Sequence, residues 1–197
     1  MAYFQRLWSE LPDAMPERFE RRRAFVLAAL DPGARVLDVG CGSGWFSAAL
    51  AAAGFETVGI DVAGEAIRRA RARCPELEFQ VVGEDGELPF APGSFDAAWL
   101  GELLEHVQDC LGLLAAVERV LRPGGQLIAT TPDHGRLLRL RLGLRRRAFE
   151  RHFEPRSDHV RFFTRRTLRE LLDAADYREI EIRARGGSLY ASSRAAR

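Results

Sequence analysis

The chain has 197 residues, 47% hydrophobic and 29% charged, a balance that suits one globular domain needing neither a disulfide nor a structural metal. Its formal charge of +1 gives no overall pull toward nucleic acid or acidic membranes. Cys41, Cys74 and Cys110 have no metal-ligand spacing, and their odd number argues against a disulfide framework. All 29 basic residues are arginine, which a GC-rich coding sequence explains without a functional cause. The first residues lack the apolar run of a secretory signal, and no later stretch reaches membrane-spanning length, so the expected location is the cytoplasm.

Residues 1–34 read as an N-terminal helical lid carrying Tyr3, Phe4 and Trp8. Arg35–Val39 is an apolar strand ending at glycines, and Trp45–Ala53 is a helix stopped by Gly54. Thr57–Asp61 is a second strand. In Gly64–Arg73, Ala66, Ile67 and Ala70 share one helical face, and Pro75 closes that helix before a strand over Glu78–Val82. Phe95–Leu100 is the next strand, and Leu111, Leu114, Val117 and Leu121 make the buried stripe of a helix. Pro123-Gly124-Gly125 predicts a tight turn into a strand over Gln126–Thr131. Residues 132–163 are expected to form a substrate-cap insertion. Leu168, Leu171, Leu172 and Ala175 mark a last helix, followed by paired strands over Arg178–Arg185 and Ser188–Ser193. The alternation predicts a single doubly wound α/β domain with a parallel sheet covered on both faces.

In such sheets ligands bind beyond the carboxyl ends of the strands, where strand order reverses. Here the first strand ends at Asp38-Val39-Gly40-Cys41-Gly42-Ser43-Gly44, whose glycines admit tight turns and close approach of a ligand. The Gly-x-Gly-x-Gly spacing differs from the Gly-x-Gly-x-x-Gly of dinucleotide sites, which weakens a nicotinamide reading. Asp61 ends the second strand, where a carboxylate can accept bonds from two ribose hydroxyls or act as a helix N-cap. Its place one strand after the glycine loop favours the ribose.

The glycine loop and Asp61 are joined by Leu88-Pro89-Phe90, Ser94-Phe95-Asp96, Leu104-Glu105-His106-Val107 and Leu121-Arg122-Pro123-Gly124-Gly125. In this order they resemble the class I S-adenosylmethionine-dependent methyltransferases from about Arg35 onward. The resemblance implies a Rossmann-like seven-stranded sheet, mostly parallel, with the last strand antiparallel. It implies a cofactor site made of Asp38, Gly40, Cys41, Gly42, Gly44, Asp61 and Val62. Within it Asp38 orients the loop, Gly40 meets the methionine end and Asp61 holds the ribose. Glu84 and Asp85 would flank the adenine, although many relatives have Asp-Ala there, and Leu100 would offer its carbonyl to the methionine ammonium.

A sulfonium already activates its methyl group, so the protein's main work is positioning, with a general base added for an oxygen or nitrogen acceptor. His106 is the best-placed base, set against a purely loop-supporting role. Glu102-Leu103-Leu104-Glu105-His106 also resembles the divalent-metal motif of ubiquinone-pathway O-methyltransferases and small-RNA 2′-O-methyltransferases. Glu102 and Glu105 could share a helical face and, with His106 and a further ligand from His159, hold Mg²⁺ or Mn²⁺. The same segment is common in methyltransferases that bind no metal. His134 and His152 are further site residues without a supporting spacing. The Arg- and Leu-rich run Arg136–Arg151 fits a cap for an acidic substrate or a helix touching anionic lipid. The plainer alternative is an amphipathic helix with a solvated basic face. The expected function is methyl transfer to an oxygen, or less readily a nitrogen, of a small molecule. Metal-dependent RNA 2′-O-methylation and non-catalytic cofactor binding are the alternatives, the near-neutral charge counting against RNA.

Overall fold

Runs of apolar residues in which neighbours on both faces are buried make strands that must be covered twice. In the computed structural model, which describes residues 2–84, 86–154 and 157–196, seven strands pair into one sheet, the inner ones of this kind and the two edge strands more exposed. They are β1 (Arg35–Val39), β2 (Glu56–Asp61), β3 (Glu78–Val81), β4 (Phe95–Gly101), β5 (Leu121–Pro132), β6 (Tyr177–Arg185) and β7 (Ser188–Ala195). Their order is β3-β2-β1-β4-β5-β7-β6, and β7 runs antiparallel to both neighbours. The expected seven-stranded, mostly parallel sheet with an antiparallel last strand is thus the fold of this chain. Strand order reverses at β1, which lies between β2 and β4, and this opens a crevice at its carboxyl end.

The helices are α1 (Ala2–Glu10), α2 (Phe19–Ala29), α3 (Trp45–Ala52), α4 (Gly64–Arg73), α5 (Cys110–Val120), α6 (Arg136–Leu144), α7 (Arg146–His152) and α8 (Arg165–Ala174). On one face Val36, Ala97, Trp99 and Ile128 pack against Val26 of α2 and Phe46 and Leu50 of α3. On the other, Leu37, Leu100, Leu127 and Ala129 meet Leu114 and Val117 of α5 and Leu168 and Leu172 of α8. Each fully buried aliphatic of this kind contributes roughly 1.5–3 kcal/mol. Asp109 caps α5 by accepting from the Gly112 amide at 2.9 Å, and Thr164 and Thr167 form a reciprocal capping box at α8.

Three expectations differ from the structure. Leu111 is exposed, and Leu121 already belongs to β5, so the buried stripe of α5 is Cys110, Leu114, Val117 and Val120. Pro123-Gly124-Gly125 does not precede β5 but forms an irregularity inside it, between the pairs Phe95–Leu121 and Ala97–Gln126. Gly124 has φ 72°, a left-handed conformation that kinks the strand without ending its pairing. Ala175 caps α8 and lies just beyond it. No helix of the described residues is long and apolar enough to cross a membrane.

Candidate active site

The glycine loop turns from β1 into α3 on three left-handed residues, Gly40 (φ 69°), Gly42 (φ 54°) and Gly44 (φ 79°). Two of them also permit close contacts. A Cβ on Gly40 would lie 2.8 Å from a Leu103 methyl, and one on Gly42 would lie 2.7 Å from the Trp8 indole. The loop is tied to β2 where the Gly40 and Cys41 amides donate to the Ile60 carbonyl at 2.8 and 2.9 Å.

Asp61 is 8% exposed and braces the same loop. Its Oδ2 accepts from the Gly42 amide at 3.0 Å and its Oδ1 from the Ala63 amide at 2.9 Å. The cap position of α4 is Ala63, so Asp61 is not that helix's N-cap. Each oxygen keeps a further lone pair for a hydroxyl donor. Burial raises the Asp61 pKa, and the backbone amides oppose that rise. Asp38 accepts from the buried Ser47 hydroxyl at 2.6 Å. Burial, with repulsion from Asp61, pushes Asp38 up to about 7 despite that bond. The buried Cys41 thiol is pushed well up by burial, as expected of a packing residue.

Val62 follows half-buried, and Leu100 is fully buried in β4 opposite Ala129. Glu84 is exposed on the turn after β3, and Asp85 lies outside the described residues. α1 and the residue after it rest on this half of the site. Gln5 accepts from the Glu65 amide at 3.2 Å, and Arg69 donates to the carbonyls of Trp8 and Leu11 at 2.8 and 2.9 Å.

Across the crevice, β4 ends in Gly101 and the chain enters Glu102 with φ 56°, a strained conformation for a residue with a Cβ. The regular turn that follows covers only Leu104–His106. Glu102 and Glu105 therefore do not share a helical face, because the left-handed residue breaks the periodicity between them. Glu105 is 1% exposed. Its Oε2 accepts from the Thr131 hydroxyl at 3.0 Å, and its Oε1 is buried without a partner among the described residues. Burial, with repulsion from Glu102, pushes Glu105 up to about 8. Its backbone carbonyl accepts from Val160 and Arg161 at 2.8 and 3.1 Å, which docks the 157–163 segment onto the turn.

That docking brings His159 to His106, with ring centroids 4.8 Å apart. Ligand atoms of Glu105, His106 and His159 all lie within 4.8 Å of one another, and Glu102 falls outside this trio. His106 Nδ1 is 3.2 Å from the Asp158 carbonyl and 3.3 Å from its carboxylate. His134, at the end of β5, meets His152 of α7 Nε2 to Nε2 at 3.1 Å, and burial lowers the pKa of both.

Three partners had no distinctive sequence signal. Arg22 of α2 is 4% exposed and lies 5.0 Å over the Phe46 ring at the start of α3. Its Nη2 donates to the Glu17 carbonyl at 2.5 Å, and its Nε is buried without a partner among the described residues. Burial lowers its pKa, opposed by the charges of Glu102, Tyr190 and Glu105. Thr130 and Tyr190 face each other across β5 and β7, and both hydroxyls are buried without partners among the described residues. Arg22 sits in a run of three arginines where only the fold singles one out.

A glycine loop at the reversal point, a buried carboxylate one strand later and a polar turn past β4 define a class I methyltransferase. The methyltransferase-domain family profile matches residues 9–182, and the chain belongs to that family. A ubiquinone biosynthesis O-methyltransferase of Xanthomonas campestris is 42% identical over 104 residues, covering 51% of this chain and 44% of that protein. The chain thus spans less than half the length of this curated relative. A solved SAM-dependent methyltransferase from Methanosarcina mazei is 26% identical, covers 86% of this chain and 95% of its own, and has TM-score 0.66. Phosphoethanolamine N-methyltransferase 2 of Haemonchus contortus, solved with S-adenosyl-L-methionine, shares the fold at 21% identity and TM-score 0.69, covering 85% of this chain and 39% of its own. S-adenosylmethionine is accordingly the cofactor.

Proposed function

We propose that this chain methylates an oxygen of a small-molecule acceptor. The observation that carries the reading is the Glu105, His106 and His159 trio at the carboxyl end of β4, across from the glycine loop. The O-methyltransferase relative supports oxygen over nitrogen, and the N-methyltransferase likeness speaks for the fold alone.

The glycine cradle that a Cβ would fill and the unpartnered Arg22 Nε suit a zwitterionic nucleoside ligand. Asp61 would take the ribose hydroxyls, Arg22 the methionine carboxylate, and Asp38 would keep the loop in register through Ser47. When bound, S-adenosylmethionine supplies an activated methyl group. Trp8 and α1 exclude water from that pocket, and His106 receives the acceptor's proton while Asp158 orients its ring. Glu105, held by Thr131, remains largely protonated near neutral pH and can donate a hydrogen bond to the acceptor.

A second reading has Glu105, His106 and His159 holding a divalent cation. The unpartnered Glu105 Oε1 supports it, and two imidazoles with one carboxylate suit Mn²⁺ better than Mg²⁺. The test incubates the protein and labelled S-adenosylmethionine with hydroxylated aromatic and aliphatic acceptors, then measures S-adenosylhomocysteine with and without Mn²⁺. Product on a hydroxyl is expected. Transfer only to amines or to RNA ends would overturn the oxygen and small-molecule reading, and cofactor binding without any turnover would favour a non-catalytic role. Calorimetric titration of Mn²⁺ into wild type and His159→Ala reads the metal separately, and equal heats would remove it.

A further inference from the structure

The plain expectation for an arginine- and leucine-rich helix is that leucines face inward and arginines face water. In α6 the leucines divide. Leu142 is 9% exposed and Leu138 half-buried, and both face the protein. Leu137, Leu140 and Leu144, at i, i+3 and i+7, form a second stripe on the outer side. They are 84%, 59% and 75% exposed. Arg136, Arg139 and Arg141 are exposed beside this stripe, and Arg145, Arg146, Arg147 and Arg151 continue the basic surface along α7. Phe149 adds a further apolar group, 51% exposed.

Charge is equally concentrated. Residues 136–151 hold seven arginines and one glutamate, a formal +6 in a chain whose total is +1, so the remainder is net −5. The one acid, Glu150, is already paired with Arg146 at 2.7 Å.

We propose that the outer face of α6 and α7 is a docking surface for an anionic lipid bilayer, with Leu137, Leu140 and Leu144 entering the headgroup–acyl boundary and the arginines meeting lipid phosphates. An outward apolar stripe flanked by cations is the pattern of a helix lying in the plane of such an interface. Arginine stems can pack along the apolar layer while their guanidinium groups reach the phosphates. A second copy of the chain fits less well, because a two-fold contact would set +6 against +6. An acidic protein face satisfies the arginines but leaves three protruding leucines needing matched apolar pockets. A bilayer accepts both without matching.

The test is co-sedimentation of the full chain with phosphatidylcholine vesicles, with and without phosphatidylglycerol. Binding is expected only with phosphatidylglycerol, and should weaken as salt is raised. Leu137→Glu/Leu140→Glu/Leu144→Glu should lower partitioning by at least about tenfold, since the apolar contact and the local charge are both changed. Its S-adenosylmethionine binding should stay at the wild-type value. If that triple variant fails to fold, Leu144→Gln and Arg139→Gln/Arg141→Gln, each judged against the same cofactor binding, serve in its place.

Equal binding to both vesicle types, binding to neither, or wild-type partitioning of the variants would overturn the proposal. So would a dimer by sedimentation equilibrium that the leucine changes dissolve, or capture of the face by an acidic protein in competition with vesicles. The readout needs no methyl transfer, so its failure is distinguishable from failure of the proposed reaction.

Discussion

The two sides of the crevice are built in opposite ways. Around the glycine loop most polar groups are already engaged: Asp61 with Gly42 and Ala63, Asp38 with Ser47, Gly40 and Cys41 with Ile60, leaving Arg22 Nε and Trp45 Nε1 without partners among the described residues. On the acceptor side Glu102, Glu105, Thr130 and Tyr190 each keep a buried polar atom without a partner among the described residues, and the backbone is strained at Glu102. Unpartnered buried groups cost stability, so the strain and the open valences lie where a second substrate would satisfy them. On the proposed reading, the glycine-loop side is largely preorganised and the side past β4 is completed by the acceptor it binds.

The largest effect that would sharpen this contrast is on stability against pH. Asp38 has a folded pKa of about 7 against an ordinary 3.8. A raised carboxyl contributes stability below its unfolded pKa, and that contribution is lost as pH rises through the folded value. For the apoprotein the window is therefore roughly pH 4 to 7, and the loss is on the order of 4 kcal/mol. Asp38→Asn should lessen the fall in melting temperature across that window without abolishing it, because the raised Glu105 and Asp61 contribute losses of the same sign; an unchanged pH profile would contradict the assignment.

Next comes Asp61→Ala, which removes two backbone bonds and the expected ribose acceptor together. Calorimetry should show S-adenosylmethionine binding about a hundredfold weaker, as for the loss of roughly 3 kcal/mol of charge-assisted bonds. His106→Asn, on the opposite side, should lower kcat by about a hundredfold as a lost general base, with cofactor affinity unchanged. A fall in cofactor affinity would instead merge the two halves. Thr130→Val should leave the apoprotein as stable or about 1 kcal/mol more so, because an unpartnered hydroxyl is exchanged for a methyl. A rise in the acceptor's KM would then show the hydroxyl in use. The smallest effect is expected for Trp8→Ala, a loss of cofactor affinity of about threefold from lost contact area over Gly42.

The same division governs what was legible before folding. Strands β1, β2 and β4, the glycine loop and Asp61 are encoded by contiguous residues whose spacing carries the geometry. The seven-strand order follows from family resemblance more than from any local pattern. Arg22, Thr130 and Tyr190 arrive from α2, β5 and β7 and meet only through the sheet, so no spacing marks them. His159 was legible as a residue type. Its approach to His106 depends on the Val160 and Arg161 amides finding the Glu105 carbonyl. Periodicity misled at two places where one residue changes the backbone's course: Glu102, which turns left-handed before the short turn, and Leu121, which starts a strand. For α6, composition could not say which leucines face out, since inward and outward stripes interleave at helical spacing.

The contact between His134 and His152 has a consequence of its own. A neutral imidazole offers one donor and one acceptor, so two rings meeting Nε2 to Nε2 must be opposite tautomers. The end of α7 thus shares one hydrogen with His134, just past β5, beside the Phe162 ring that packs on both imidazoles. Both rings have their pKa lowered by burial, so this join is at full strength above the ordinary imidazole range and weakens as pH falls below it. Once both nitrogens carry a hydrogen, neither can receive one, and the fastening becomes a repulsion. Contact between α7 and the end of β5 is therefore expected to loosen in mild acid while buried Leu142 still holds α6, and amide exchange along α7 followed as pH is lowered would read that loosening.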